Sequence, residues 1–260
     1  MWDPIAYGRY ADERGRPFAD LLNRVQAHSP ATVVDLGCGP GDQTQTLLDR
    51  WPGATVVGVD SSAEMIATAA QRAIPGRLTF IDADLRDWQP VSPLDVCLSN
   101  ATLQWVPDHL DLLPRIAGWL SPGGWLAFQV PGNFDAPSHT LLRALRESPP
   151  WRDRLAKAAR AAAVADPATY LRALVACGLR VDAWETTYLH VLAGDDAVLE
   201  WIRGTALRPV LAALDDAEQA LFIAEYAVLL RAAYPPTDFG TLLPFRRIFV
   251  VEQATGALRG

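Results

Sequence analysis

The segment Val33-Val-Asp35-Leu-Gly37-Cys-Gly39-Pro-Gly41-Asp42-Gln-Thr44 decides the fold of this chain. An apolar run leads through three alternate glycines into a helix-forming stretch, and this order predicts a strand, a tight loop and a helix. Glycine lets the backbone approach a ligand closely, and open α/β sheets bind small molecules at the carboxyl edge of their strands. The segment therefore predicts an α/β fold with a ligand site at the glycine loop, defined here as residues 37–41.

Short apolar runs alternate with amphipathic stretches from residue 31 to residue 130, which is the signature of βαβ units and a parallel sheet. A capping box at Ser61 and Glu64 predicts where the helix after the second strand begins. Two further strands are predicted in the second half of the chain. The predicted strands are Thr32–Leu36, Ala54–Val59, Leu78–Ile81, Asp95–Ser99, Trp125–Val130, Leu179–Leu192 and Arg246–Val251.

No repeat, linker or low-complexity segment divides the 260 residues, so we expect a single domain. Residues 1–30 are expected to form an N-terminal helical cover, with a helix that begins at Pro17, since proline suits the first helical turn. The segments 131–166 and 193–243 are rich in helix-forming residues. We interpret them as helical insertions in the sheet domain.

The composition excludes several classes of protein. The chain is 50% hydrophobic and 20% charged, with a mean hydropathy of +0.07, which is typical of a globular protein with a full core. Its net charge is −7, whereas a nucleic-acid-binding protein usually carries an excess of basic residues that contact phosphates. Lys157 is the only lysine, and codon usage is the simplest cause of the excess of arginine. The charge is compatible with a small anion in a locally positive pocket.

The three cysteines, Cys38, Cys97 and Cys177, form neither a CxxC pair nor a metal-ligand spacing. Their pattern favours a reducing compartment and no bound metal. The N-terminus lacks a basic segment followed by an apolar run, and no stretch approaches about 20 uninterrupted apolar residues. We therefore expect a cytoplasmic protein without a membrane partner, as a monomer or weak dimer.

Asp42 decides between the two kinds of cofactor that such a glycine loop serves. A dinucleotide fingerprint needs glycine at position 42, and a carboxylate at the helix N-terminus would repel a pyrophosphate. A cofactor without phosphate, such as S-adenosylmethionine, is therefore favoured. Acidic residues at successive strand ends suit it: Asp35 for the ligand ammonium, Asp60 for the ribose hydroxyls, and Asp84 with the Leu85 amide for adenine.

Short motifs that point to one family run from near residue 2 to near residue 250. They are Trp2-Asp-Pro, Tyr7, Arg14, Arg16-Pro17, the segment 34–41, Arg50-Trp-Pro52, Asp60-Ser-Ser62, Met65-Ile66, Asn100-Ala101, Leu103-Gln-Trp105, Pro107-Asp-His109, Ser121-Pro-Gly-Gly124, Thr186-Thr-Tyr-Leu-His190 and Leu207-Arg-Pro209. With these motifs the chain resembles the class I S-adenosylmethionine-dependent methyltransferases, most closely those that methylate trans-aconitate. The resemblance is weakest over residues 140–165.

The resemblance implies an α/β, Rossmann-like sheet of seven strands, mostly parallel with the last strand antiparallel, and helical insertions that cover the active site. It also implies S-adenosylmethionine as cofactor and a small anionic acceptor, one carboxylate of which becomes a methyl ester. The cofactor residues are then Asp35, Gly37, Gly39, Gly41, Asp60, Ser61, Met65, Asp84, Leu85 and Asn100. Arginine forks bind carboxylates in pairs of hydrogen bonds. The candidate acceptor residues are Arg208, Tyr7, Arg14, His190, Arg246 and Trp105, followed by Arg16, Arg247 and Tyr188.

A carboxylate acceptor needs no general base, because its pKa of about 4 keeps it ionised at neutral pH. The segment Ser99–Trp105 lacks the Asn/Asp-Pro-Pro-aromatic motif that serves amino groups, which agrees with an oxygen acceptor. Three alternatives stay open on the sequence. They are a methyltransferase for another acceptor such as a fatty acid or phenol, an NAD-dependent oxidoreductase, which Asp42 opposes, and a non-catalytic binding module with the same fold.

Overall fold

The computed structural model describes residues 11–156 and 164–255, with side chains from residue 15 onward. The strands are β1 (Thr32–Leu36), β2 (Thr55–Asp60), β3 (Leu78–Asp82), β4 (Leu94–Asn100), β5 (Leu120–Pro131), β6 (Leu179–Leu192), β7 (Pro236–Thr237) and β8 (Gly240–Ala254). In the described ranges they form one eight-stranded sheet in the order β3-β2-β1-β4-β5-β8-β6, with β7 beside β8. The pairs among β1 to β5 are parallel, and β8 pairs antiparallel with β5, as predicted.

Helices connect and flank these strands. They are α1 (Ala11–Arg24), α2 (Asp42–Arg50), α3 (Ala63–Ala69), α4 (His109–Ala117), α5 (Pro137–Glu147), α6 (Trp151–Leu155), α7 (Pro167–Val175), α8 (Ala197–Arg203), α9 (Arg208–Leu211) and α10 (Asp216–Ala233). None of the helices in the described ranges is long and apolar enough to cross a membrane.

The central strands are buried on both faces, which is why they read as continuous apolar runs rather than as alternating ones. In β1, for example, Val33, Val34 and Leu36 are at most 2% exposed. Leu98 of β4 and Phe128 of β5 are fully buried beside them. This packing fixes the carboxyl ends of the strands, where the glycine loop begins.

The chain divides into two compact units, each with its own apolar core. The sheet unit contains the described residues of Gly15–Pro131, Val164–Thr186 and Arg247–Gly260. The helical unit contains those of Gly132–Ala163 and Thr187–Arg246. Its core is built around large aromatic side chains, among them Trp151, Trp201, Phe222 and Tyr226.

Two predicted helix starts are wrong. Helix α1 begins at Ala11, and Pro17 lies inside it. The start of α3 is capped by Ser62 and not by Ser61, because the Ser62 hydroxyl accepts the Met65 amide at 3.4 Å. The Ser62 amide also donates to the Asp60 carboxylate at 2.9 Å. The helix therefore begins one residue later than the predicted capping box indicates.

Two strand predictions are also corrected. The sheet has an eighth strand, β7, whose two residues pair with the start of β8. A two-residue strand that begins with proline is too short for an alternation of apolar and polar residues to predict it. The motif Ser121-Pro-Gly-Gly124 precedes the predicted fifth strand, Trp125–Val130, but in the structure it lies within β5, where the pairing with β4 shifts register between Leu94 and Val96.

Glu252 of β8 is a buried carboxylate that makes the fold sensitive to pH. It is 0% exposed, and neither carboxylate oxygen has a hydrogen-bond partner in the described part of the chain. Burial raises its pKa from 4.5 to about 8. The folded protein therefore keeps a proton on Glu252 that the unfolded chain releases, and stability falls as the pH rises between these two values.

Glu252→Gln is expected to remove most of this pH dependence, because glutamine stays neutral. The rise in pKa corresponds to about 5 kcal/mol of unfolding free energy that the wild type loses between pH about 4.5 and about 8. Urea unfolding of both proteins from pH 5 to pH 9 measures the effect. The exposed Glu64→Gln variant serves as control. A wild-type stability that is flat across this range would contradict the prediction.

Candidate functional site

The glycine loop carries the chain from β1 into α2 at the carboxyl edge of the sheet. Gly37, Gly39 and Gly41 have φ angles of +78°, +53° and +82°, the left-handed region that favours glycine. A Cβ at Gly37 would lie 2.0 Å from the Thr102 hydroxyl oxygen, so a side chain cannot fit there. A Cβ at Gly39 would meet nothing within 4 Å. The loop is therefore closed against the protein at Gly37 and open at Gly39.

Asp60, the last residue of β2, fixes the loop through its carboxylate. One oxygen accepts the Gly39 amide at 2.9 Å, and the other accepts the Ser62 amide at 2.9 Å. Each oxygen keeps a further lone pair, so the half-buried carboxylate can still accept bonds from two ligand hydroxyls. Ser61 beside it is exposed, and Met65 is half-buried.

Asp35 is a buried carboxylate just before the loop. It is 3% exposed, and it accepts the Thr44 hydroxyl at 2.6 Å. Burial raises its pKa to about 6, against the opposing effect of the Thr44 hydrogen bond, and the nearby Asp60 adds to the rise. A positively charged ligand group would offset the cost of ionising Asp35. The two carboxylates therefore favour a cation at this edge of the sheet.

Asp42 is the first residue of α2, as the sequence indicated, and it forms an ion pair with Arg72. The pair partly neutralises the carboxylate. Its repulsion of a pyrophosphate is therefore weaker than the sequence alone suggested.

Asp84 and Leu85 follow β3, where an adenine contact was predicted. The Asp84 carboxylate accepts the Arg86 amide at 2.9 Å and its guanidinium Nε at 3.0 Å. Hydrogen bonds from Arg86 hold the pKa of Asp84 below its usual value, so it is an ionised acceptor. Leu85 is buried, and its carbonyl accepts from Arg115 at 2.7 Å. A hydrogen-bond acceptor for adenine is therefore present, but Arg86 already uses part of its capacity.

Four polar side chains form a hydrogen-bonded chain at the carboxyl ends of β4 and β5, and we call it the amide relay. Arg247 Nη1 donates to Gln129 Oε1 at 3.3 Å, and Gln129 Nε2 donates to Asn100 Oδ1 at 2.6 Å. Asn100 Nδ2 then donates to Gln43 Oε1 at 2.7 Å. The Asn100 side chain is thus engaged by Gln43 and Gln129, and the N-cap position of α4 is occupied by Asp108.

The amide relay was missed by sequence reasoning, although one signal was visible. Gln129 is the only polar residue in the run Trp125–Val130. A buried glutamine in a central strand needs partners, and its partners lie on other strands. Beside it, Ala101 has a φ of +53°, which is strained for alanine, and its amide bonds to the Gln129 carbonyl at 3.0 Å. Trp105, four residues beyond Ala101, is 49% exposed.

His190 is a candidate acceptor residue, and it lies in the helical unit. It is 3% exposed, and its ring packs 4.8 Å from Trp201, 6.0 Å from Phe245 and 6.2 Å from Tyr188, measured between centroids. The geometry therefore makes His190 part of an aromatic cluster.

The candidate arginines differ in their surroundings. Half-buried Arg246 donates through Nη1 to the Gly132 carbonyl at 3.0 Å. Exposed Arg208 is the first residue of α9, and its guanidinium forms no hydrogen bond or ion pair with any residue that the structure describes. Arg16 is exposed on α1. Tyr7 and the side chain of Arg14 lie outside the described residues.

A polar cluster that the sequence did not predict lies inside the helical unit. The Tyr226 hydroxyl donates to the Ser138 carbonyl, and the Ser138 amide donates to the Tyr234 hydroxyl at 3.0 Å. The Ser138 hydroxyl is 3.2 Å from His139 Nδ1. Burial lowers the pKa of His139 to about 4, and the positive charge of Arg143 contributes. His139 is therefore neutral at physiological pH.

Comparison with known proteins identifies the family. Residues 33–124 match the family described as a methyltransferase domain. Trans-aconitate 2-methyltransferase of Streptomyces avermitilis is 56% identical over 257 residues, which cover 96% of both chains. The chain belongs to the trans-aconitate 2-methyltransferase family. The family member of Mycolicibacterium gilvum is 54% identical over 256 residues, 97% of this chain and 99% of that one.

The methyltransferase fold also recurs in solved structures. Phosphoethanolamine N-methyltransferase 2 of Haemonchus contortus, solved in complex with S-adenosyl-L-methionine, aligns over 93% of this chain and 53% of its own with a TM-score of 0.55. Its sequence is 17% identical, so the likeness concerns the fold alone.

In this family member the predicted site residues fall into two groups. The predicted cofactor residues, and with them Trp105, belong to the sheet unit. Three predicted acceptor residues, His190, Arg208 and Arg246, belong to the helical unit.

Proposed function

We propose that this methyltransferase moves the methyl group of S-adenosylmethionine to one carboxylate of trans-aconitate and forms a monomethyl ester. The observation that carries the proposal is the glycine loop, which is open at Gly39 and is held by Asp60, whose second oxygen accepts the Ser62 amide. The acceptor follows from the names of relatives that are 53–56% identical over nearly the whole chain.

The residues at the loop fit this cofactor. The open space that a Cβ at Gly39 would enter leaves room for a ligand against the loop backbone. The remaining lone pairs of Asp60 suit the two ribose hydroxyls. Asp35 and Asp60 together favour the positive charge of the ligand, and Asp84 can accept from the adenine amino group. The H. contortus relative with the same fold was solved with this cofactor.

When bound, the cofactor supplies a methyl group that is activated by the sulfonium charge. The task of the protein is to hold the acceptor carboxylate in line with that methyl and to remove part of its water. No side chain has to take a proton, because a carboxylate with a pKa of about 4 is ionised at neutral pH.

Arginine forks are our proposal for the two carboxylates that do not react, with Arg208 first and Arg246 and Arg14 after it. Arg208 is suited to this role because its guanidinium has no partner in the described part of the chain. We propose that Tyr7, His190 and Trp105 form further hydrogen bonds with the acceptor or line its site as apolar walls.

The test is methyl transfer itself. Purified protein is incubated with methyl-labelled S-adenosylmethionine and trans-aconitate, and a base-labile labelled ester is expected. A fatty acid and a phenol serve as competing acceptors. Transfer to either of these but not to trans-aconitate would reject the proposed acceptor while keeping the enzyme class.

Arg208→Ala is expected to raise the KM for trans-aconitate by about 10- to 100-fold, the loss of a charge-assisted pair of hydrogen bonds. The KM for S-adenosylmethionine should stay within about twofold, since the two roles are separate. Initial rates at varied acceptor measure this. Arg203→Ala is the matched control, because Arg203 lies nearby in the sequence and pairs with Glu200 on α8. An equal change in both variants would argue against a clamp at Arg208.

We also propose that the enzyme works in the cytoplasm, as a monomer or weak dimer. The three cysteines, Cys38, Cys97 and Cys177, are free thiols, which is what a reducing compartment favours.

A further inference from the structure

The amide relay joins the last strand of the sheet to the glycine-loop helix. Arg247 is 7% exposed and Gln129 is 1% exposed, while Asn100 and Gln43 are half-buried. Asn100 and Gln129 face each other in the register of β4 and β5. All four residues belong to the sheet unit. The relay thus runs from a buried cation on β8 to the second residue of α2.

The chemistry of the four groups allows one polarity. A guanidinium can only donate hydrogen bonds, so Gln129 must turn its oxygen to Arg247 and its NH₂ group to Asn100. Asn100 must then accept with its oxygen and donate with its NH₂ group to Gln43. The oxygen of Gln43 is thereby used, and its NH₂ group is left at the far end. Arg247 therefore sets the orientation of an amide on another element.

The end of the relay at Gln43 offers a hydrogen-bond donor. Gln43 lies two residues after Gly41, in the first turn of α2, and its Nε2 donates to no residue that the structure describes. A free amide NH₂ group suits an oxygen acceptor such as a carboxylate. The buried Asp35 at the same edge suits a cation. A donor and a carboxylate at the same edge of the sheet match the carboxylate and the ammonium of an α-amino acid.

We propose that Arg247 is a positioning residue, which acts through Gln129 and Asn100 to present the Gln43 NH₂ group to the carboxylate of the amino-acid end of S-adenosylmethionine. This inference rests on the proposed function, because it assigns one contact within that cofactor site. Gln43 would touch the cofactor, and Arg247 would act at a distance.

Gln129→Glu tests the polarity with almost no change of shape. Glutamate still accepts from Arg247, but it cannot donate to Asn100. The Asn100 amide then rotates to donate to the new carboxylate, and the Gln43 amide rotates in response. Gln43 thereby presents its oxygen to the ligand in place of its NH₂ group. Gln43→Glu places a carboxylate there directly. Gln45→Glu adds the same charge at an exposed position of the same helix and is the control. Arg247→Lys keeps a donor and should retain more affinity than Arg247→Met.

The readout is a pair of calorimetric titrations. S-adenosylhomocysteine carries the amino-acid end, and methylthioadenosine is the related nucleoside thioether without it. We expect Gln129→Glu and Gln43→Glu to raise the Kd of the first by about tenfold or more and to leave the Kd of the second within about twofold. Gln45→Glu should change neither.

Three results would overturn the inference. Equal weakening of both ligands would mean that the relay only supports the fold. An unchanged Kd for S-adenosylhomocysteine, with a raised KM for the acceptor, would mean that Gln43 faces the acceptor. Failure of the wild type to bind either ligand would reject the proposed function itself, and this result is distinct because it appears before any variant is made.

Discussion

Gly39→Ala is expected to raise the Kd for S-adenosylmethionine by about tenfold or more, while the free energy of unfolding falls by only about 1 kcal/mol. The small loss of stability is the strain of alanine at a φ of +53°. The new Cβ meets nothing within 4 Å, so the apoprotein has room for it. That room is where we propose that the cofactor lies. Calorimetric titration measures the affinity, and denaturant unfolding measures the stability.

Gly76→Ala is the matched control for Gly39→Ala. Gly76 has a φ of +72°, a Cβ there would also meet nothing within 4 Å, and it lies in the turn before β3. The same strain should give a similar loss of stability, with no change in Kd. If both variants lost affinity equally, the effect would belong to backbone strain, and Gly39 would not be a cofactor contact.

Asp60→Ala is expected to have the largest effect on the cofactor, a rise in Kd of about 100-fold. Its carboxylate holds the Gly39 and Ser62 amides, and in our proposal it also accepts from the ribose, so one substitution removes several hydrogen bonds. The rate at saturating cofactor should change by only a few-fold, because Asp60 touches no reacting atom. Rates at varied cofactor separate KM from kcat.

Asp82→Ala controls for the loss of an acidic residue at this edge. Asp82 is the register partner of Asp60 on β3, and it is exposed. Removing it should leave both kinetic constants near those of the wild type. A large rise in KM for Asp82→Ala as well would point to the general field of the acidic edge rather than to the specific bonds of Asp60.

Much of the fold could be predicted because its signals are local. The alternation of apolar runs gave the parallel strands, and the order of three glycines after Val34 gave the loop and the helix. Local signals also explain the errors. Ser61 and Ser62 offer the same cap, and only the bond from the Ser62 amide to Asp60, a contact across the turn, decides between them.

The site was harder to predict, since several of its contacts join residues far apart in the sequence. Asp60 and Asp84 could be named as candidates because Asp60 ends β2 and Asp84 follows β3. The four residues of the amide relay, Gln43, Asn100, Gln129 and Arg247, lie far apart in the sequence and meet only in the folded chain. The lone carboxylate of Glu252 is similar, because nothing near it in the sequence reveals that it is fully buried.

The two separate cores bear on how this enzyme can change over evolution. The core around Leu36 and Phe128 supports the proposed cofactor residues, whereas the core around Phe222 and Trp201 supports His190 and Arg208. Substitutions that repack the second core can therefore reshape the proposed acceptor pocket without disturbing the first. In our proposal, new acceptors then become accessible through substitutions in the helical unit, while the cofactor residues proposed in the sheet unit stay unchanged.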